Sequence, residues 1–177
     1  MKPYFHNAST RTHNVIIQSF LYIVAMKDFR KVTIADILDE AGISKGTFYK
    51  HFQDKYDLAL QTYQQFFDEF KKEVLLDNGL REPDKFVLFY NSHRFYYIGL
   101  MRIEDDILSL RQTFKENLGE FYISMYSRDT IEADFYANQI LWMMDSLSRL
   151  NRNIRKEDVT SFLQTGEKIS CRLKTAY

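Results

Sequence analysis

Residues 33–52 read TIADILDEAGISKGTFYKHF, and the break in the middle of this stretch decides the fold. Two short helical patterns are parted by Gly42. Thr33 and Asp36, three apart, make a helix start in which the hydroxyl accepts an orphan N–H of the first turn. Gly42 stands where a left-handed residue would end that helix. Ser44 can cap a second helix, which runs to about Phe52. Ile34, Ile37, Leu38 and Ala41 supply an apolar face to the first helix. Ile43 fills the turn, and Phe48 and Phe52 supply the matching face of the second. Two short helices meeting through small and apolar residues make a helix-turn-helix.

The residues left over on the second helix are Ser44, Lys45, Gly46, Thr47, Tyr49, Lys50 and His51. A free-standing surface helix favours Ala, Leu, Glu and Lys over such a set. The set suits a helix pushed against DNA. Short residues near its start let the backbone approach base edges. Lys45 and Thr47 can hydrogen-bond bases, and Tyr49 and His51 carry donors suited to phosphate oxygens. Lys55 falls in the first turn of the next helix, where a cation opposes the helix dipole. A phosphate bound there would reverse that penalty.

Working outward, the 177 residues are 45% apolar and 16% aromatic, with only six glycines and two prolines. Few breakers and long periodic runs predict an all-α protein of about nine helices. Eight of them can be bounded, at about 10–28, 33–41, 44–52, 54–76, 84–100, 104–126, 130–151 and 155–174. Asp54 with Asp57 repeats the start signal at the fourth, and Pro83 fits a first turn. Net charge is zero, but residues 1–56 carry +3 and the rest −3. A basic head on an acidic body permits polyanion binding. The single Cys171 cannot pair within the chain, so a reducing, cytoplasmic compartment is expected. No signal peptide and no stretch of roughly 20 apolar residues that would span a membrane are seen.

The stretch resembles the DNA-binding domain of the TetR family of bacterial transcriptional regulators. The resemblance rests on Thr33-Ile-Ala-Asp-Ile, on Ala41 to Phe52 with its G-I-S-x-G-T-x-Y-x-x-F pattern, and on Asp54-Lys55 followed by Asp57-Leu58. Arg11 and Phe29 match as well, and the likeness covers roughly residues 9–60. It implies an N-terminal three-helix DNA-binding head, residues 1–56, and a helical ligand-binding and dimerisation body, residues 57–177. Carried over by position, Thr33, Tyr49, His51 and Lys55 would hold phosphates. Lys45, Gly46, Thr47 and Lys50 would face bases, with Ser44 at the helix start.

Aromatic residues recur through the body at three- and four-residue spacing, which is the pattern of a core. Phe89, Tyr90, His93, Tyr97, Phe121 and Trp142 are the candidates for contact with a ligand. On the last two helices Met143, Leu147, Leu150, Phe162, Gly166 and Ile169 are the candidates for a dimer face, with Gly166 permitting close approach. Glu104-Asp105-Asp106 reads as a solvated helix start rather than a metal site. No nucleophile–base arrangement, metal-ligand spacing or phosphate loop is visible, so neither an enzyme nor a cofactor is predicted. The expectation is a ligand-responsive regulator, a repressor first with an activator as a weaker option whose sign the sequence does not decide, bound as a two-fold dimer to a palindromic operator and released by a small molecule. The alternative is a co-activator of the same fold that meets other proteins and no operator DNA.

Overall fold

The structure, a computed structural model, describes residues 8–76, 82–150 and 152–164. Among the described residues the chain is built of α-helices with no β-strand. They are α1 (Ala8–Met26), α2 (Ile34–Ala41), α3 (Lys45–Tyr49), α4 (Lys55–Phe70), α5 (Pro83–Leu100), α6 (Leu110–Met125), α7 (Thr130–Ser148) and α8, residues 156–164. A 3-10 turn, Phe29–Lys31, links α1 to α2, and α4 runs on into a π-helical turn, Lys71–Leu76. The chain divides into two compact units. One holds Met1–Phe66 with Phe95–Arg111; the other holds Phe67–Arg94 with Gln112–Tyr177.

The first unit forms around the buried stripe of α1. Ile16, Ile17, Phe20, Leu21 and Val24 follow a helical period and are all but fully covered. Phe29 lies edge-on to Phe20 and Tyr56, with ring centres 6.3 and 5.6 Å away. The end of α5 belongs here too. A Cβ on Gly99 would come within 2.9 Å of the Leu21 side chain, so the glycine lets α5 and α1 approach closely. A salt bridge of 2.7 Å from Lys27 to Asp36 ties the end of α1 to the start of α2.

Residues 101–109 differ from the predicted helix start. The Asp105 carboxylate accepts from the Ile107 and Leu108 N–H groups, and the Leu108 carbonyl accepts from the Asp105 N–H. A side chain that satisfies nearby N–H groups this way competes with the helix. The segment folds back on itself as a turn, and α6 begins only at Leu110. Tyr56 donates to the other oxygen of Asp105 at 2.9 Å, which holds this turn to the base of α4.

The second unit has an aromatic core. Phe70 packs edge-on against Phe89 and Phe114, each 5.5 Å away, and Phe67 meets Phe114 at 5.8 Å. Burial pushes the Tyr90 hydroxyl up to about 12, and it donates to the Met144 carbonyl. The Arg94 guanidinium donates to the carbonyls of Ser148, Leu150 and Arg152, capping the end of α7. The Asn91 side chain pairs with both backbone groups of Ile154 at 2.9 Å, fixing the approach to α8.

Asp36 offers a stability test. Its hydrogen bonds to Lys27, to the Thr33 N–H and to the Thr33 hydroxyl lower its pKa from 3.8 to about 2. Stabilisation from such a group is complete above the unfolded pKa and fades as pH falls from about 4 towards 2. Asp36→Ala is expected to lower the melting temperature at pH 7 by about 2–4 °C, the effect of losing one good cap. It should also flatten the loss of stability between pH 5 and pH 3, followed by circular dichroism.

Candidate nucleic-acid interface

The helix-turn-helix corner is made by three local devices. At the start of α2, Thr33 and Asp36 form a reciprocal capping box: the Thr33 hydroxyl accepts from the Asp36 N–H, and the Asp36 carboxylate accepts from the Thr33 N–H at 2.7 Å. At its end Gly42 takes φ 62°, ψ 37°, the left-handed cap. Ser44 then caps α3 by accepting from the Thr47 N–H, and its hydroxyl lies 2.9 Å from that of Thr47. At α4, Asp54 accepts from the N–H groups of Tyr56 and Asp57, while Asp57 accepts from the Gln53 N–H.

The helix α3 has only five residues, Lys45–Tyr49, and is shorter than its sequence pattern. Lys50 is its C-cap. The chain stays coiled for a few residues more, because the His51 and Phe52 N–H groups both reach the Phe48 carbonyl. Phe48 and Phe52 are buried with ring centres 5.9 Å apart, and Ile37 on α2 is fully covered. These apolar residues fasten α3 to the head.

The outer residues stay at the surface. Ser44, Lys45, Gly46 and Lys50 are exposed, Tyr49 is 50% exposed, and Thr47 and His51 are half-buried. The Lys45 ammonium lies 5.9 Å from the Tyr49 ring centre. One continuous strip of backbone, residues 44–51, therefore carries two lysines, a phenol, an imidazole and two hydroxyls. Thr33 is exposed at the start of α2, although its hydroxyl is engaged in the capping box.

Gly46 has no internal reason to be glycine. A Cβ there would meet nothing closer than the Ser44 Oγ, at 3.9 Å, and its φ is not left-handed. A glycine inside a helix costs about 1 kcal/mol against alanine. The packing of the free protein does not return that cost.

Lys55 sits differently from its sequence reading. Its ammonium donates to the carbonyls of Phe29, Arg30 and Val32 and lies 4.5 Å from the Phe29 ring centre. These carbonyls close the 3-10 turn, where a cation is favourable. They account for a lysine at the start of α4 without a phosphate.

One residue of this region escaped the sequence reading. His13 on α1 stacks on Phe52 at 4.8 Å, and its ring centre is 5.8 Å from that of His51. Three and four residues before Ile16 and Ile17, it lies on the buried stripe of α1. An ionisable group on an apolar stripe is the signal that could have found it.

The body candidates are dispersed. Phe89, Tyr90 and Phe121 are buried in the second unit, and Tyr97 is buried in the first. The His93 Nε2 lies 2.8 Å from the Glu69 carboxylate, and the His93 ring stacks on Phe89 at 4.2 Å. Trp142 is 51% exposed and packs on Phe162 with ring centres 4.2 Å apart. Met143 and Leu147 are covered by the chain's own core, and Leu150 is half-buried. The exposed face of α7 instead carries Ile131, Phe135 and Trp142. Gly166 and Ile169 lie outside the described residues.

Residues 24–62 match the model of the bacterial regulatory proteins of the tetR family. An uncharacterized HTH-type transcriptional regulator of Bacillus subtilis (strain 168), YerO, is 41% identical over 51 residues. That stretch is 29% of this chain and spans only 18% of the relative's length. No helix among the described residues is long and apolar enough to cross a membrane.

Gly46→Ala tests the glycine directly. The variant should be more stable than wild type by about 0.5–1 kcal/mol in urea unfolding without DNA. A loss of stability would mean that internal packing, after all, requires the glycine.

Proposed function

We propose that this chain, whose residues 24–62 match the model of the bacterial regulatory proteins of the tetR family, is a DNA-binding transcription regulator of that family. It acts as a repressor in the cytoplasm, grips a palindromic operator as a two-fold dimer and lets go when a small molecule enters its body. The observation that carries the DNA-binding part is Gly46. It sits exposed near the start of the 44–51 strip, unfavourable for the helix and unexplained by the fold. A surface brought hard against that backbone accounts for it. Exposed Lys45 and Lys50 on either side favour a polyanion.

In this reading Lys45, Gly46, Thr47 and Lys50 face base edges, with Ser44 at the rim. Thr33, Tyr49, His51 and Lys55 serve the phosphates. Lys55 does so with an ammonium already held by three carbonyls, which fixes its position and limits its reach. Residues 1–56 read DNA, and residues 57–177 receive the effector and pair with a second copy.

An apolar stripe at helical spacing supports the pairing. Ile131 (79% exposed), Phe135 and Trp142 (51% each) line one face of α7. A symmetric partner meeting that face would set two copies of α3 about one DNA turn apart. For the effector, Phe89, Tyr90, His93, Tyr97, Phe121 and Trp142 are the aromatic candidates. Those already packed in the core would have to part to admit it. Release would follow if the effector bound better to a dimer whose heads no longer match the operator.

Fluorescence anisotropy with overlapping duplexes tiling the DNA upstream of the gene tests this. Wild type should select one duplex, and its affinity should fall steeply with salt. Lys45→Ala and Lys50→Ala should each weaken binding and relax the preference for the selected duplex, whereas Lys55→Ala should weaken binding to all duplexes alike and lower the salt slope by about one. Gly46→Ala should weaken it at least tenfold, about 1.4 kcal/mol, despite being the more stable protein. Binding that ignores salt and sequence would favour the protein-interaction reading.

A further inference from the structure

The first unit carries a pair of histidines that the DNA-binding residues do not by themselves explain. His13 comes from the early turns of α1 and His51 from the end of the α3 segment, 38 residues apart in sequence. The Phe52 ring, buried beneath them, stacks on His13 at 4.8 Å with a 27° tilt and lies 6.3 Å from His51. The two imidazoles are 5.8 Å apart. We propose that His13 is a positioning residue of the DNA-binding face, and that with His51 it couples duplex binding to the uptake of a proton. This inference rests on the DNA-binding reading of residues 44–51.

Phe52 is fixed in the core, so the stacked His13 ring is fixed with it. His13 in turn forms the wall against which His51 rests. The charged groups on the surrounding segments are Arg11 on α1, Lys50 after α3 and Asp54 ahead of α4. The neighbour whose charge acts on His13 is His51. Burial, and then the charge of His51, pull the His13 pKa below 6.5. A positive charge on His51 this close repels a proton on His13, so the free protein holds the His13 proton weakly. A duplex phosphate drawn to His51 supplies the negative charge that relieves the repulsion. His13 then holds its proton more firmly in the complex than in the free protein. By linkage, affinity rises as pH falls through the histidine range and is lost as pH rises.

The experiment uses the full chain and the duplex selected from the upstream tiles. Affinity is measured at constant ionic strength between pH 8 and pH 6. Wild type should gain about tenfold over this range, the effect of about half a proton taken up on binding, averaged over two pH units. In His13→Phe, which keeps the stacked ring, the gain should shrink to about threefold or less. In His51→Gln it should disappear, and the double variant should show no further change. In wild type the His13 Cε1 proton should also titrate at higher pH with duplex than without.

An unchanged pH response in His13→Phe overturns the assignment. So does an equal loss of affinity at every pH, which marks a merely structural role. Wild type that binds no duplex at any pH overturns the inference together with the DNA-binding reading. Binding with an unaltered pH response overturns the inference alone.

Discussion

The structure depends on the seating of a helix too short to stand by itself. Five residues make barely more than one turn of α3, and isolated helices below about 12–15 residues are marginal in water. Phe48 and Phe52 reach inward from this segment and are almost fully covered, beside Ile37 on α2. Gly42 turns the chain with a left-handed residue, and Ser44 caps the new helix. With its stability supplied from one side, α3 is free to carry on the other side weak helix formers such as Gly46, Thr47 and Tyr49. Its surface chemistry and its fold are therefore largely separate problems.

The caps account for what was legible in the sequence. Thr33 with Asp36, Gly42, Ser44, and Asp54 with Asp57 act through partners two to four residues away, so spacing alone announces them. They locate α2, α3 and the start of α4. The apolar period of α1 is equally local, and it places Ile16, Phe20 and Val24 inside. The all-α class and the helix-turn-helix follow from these signals.

What stayed hidden depends on residues far apart in the chain. The opposing charge of Lys55 at a helix start suggested an external anion. Its partners are three carbonyls more than 20 residues earlier. Glu104-Asp105-Asp106 looked like a helix start, but Asp105 serves a turn and the hydroxyl of Tyr56. On α7, hydrophobicity marks both sides of the helix. Only packing separates the buried Met143 and Leu147 from the exposed Phe135 and Trp142. His13 meets His51 through Phe52, a relation that no spacing encodes.

The proposed function turns on close approach of DNA to the backbone of α3. The most direct measurement is residue-by-residue: backbone amide chemical shifts and hydrogen exchange of the full chain, with and without a duplex from the upstream DNA. Shift changes and protection should gather at residues 44–51, with Gly46 among the largest, and an unrelated duplex should produce far less at equal salt. Saturating binding that leaves the amides of residues 44–51 unchanged would contradict that close approach.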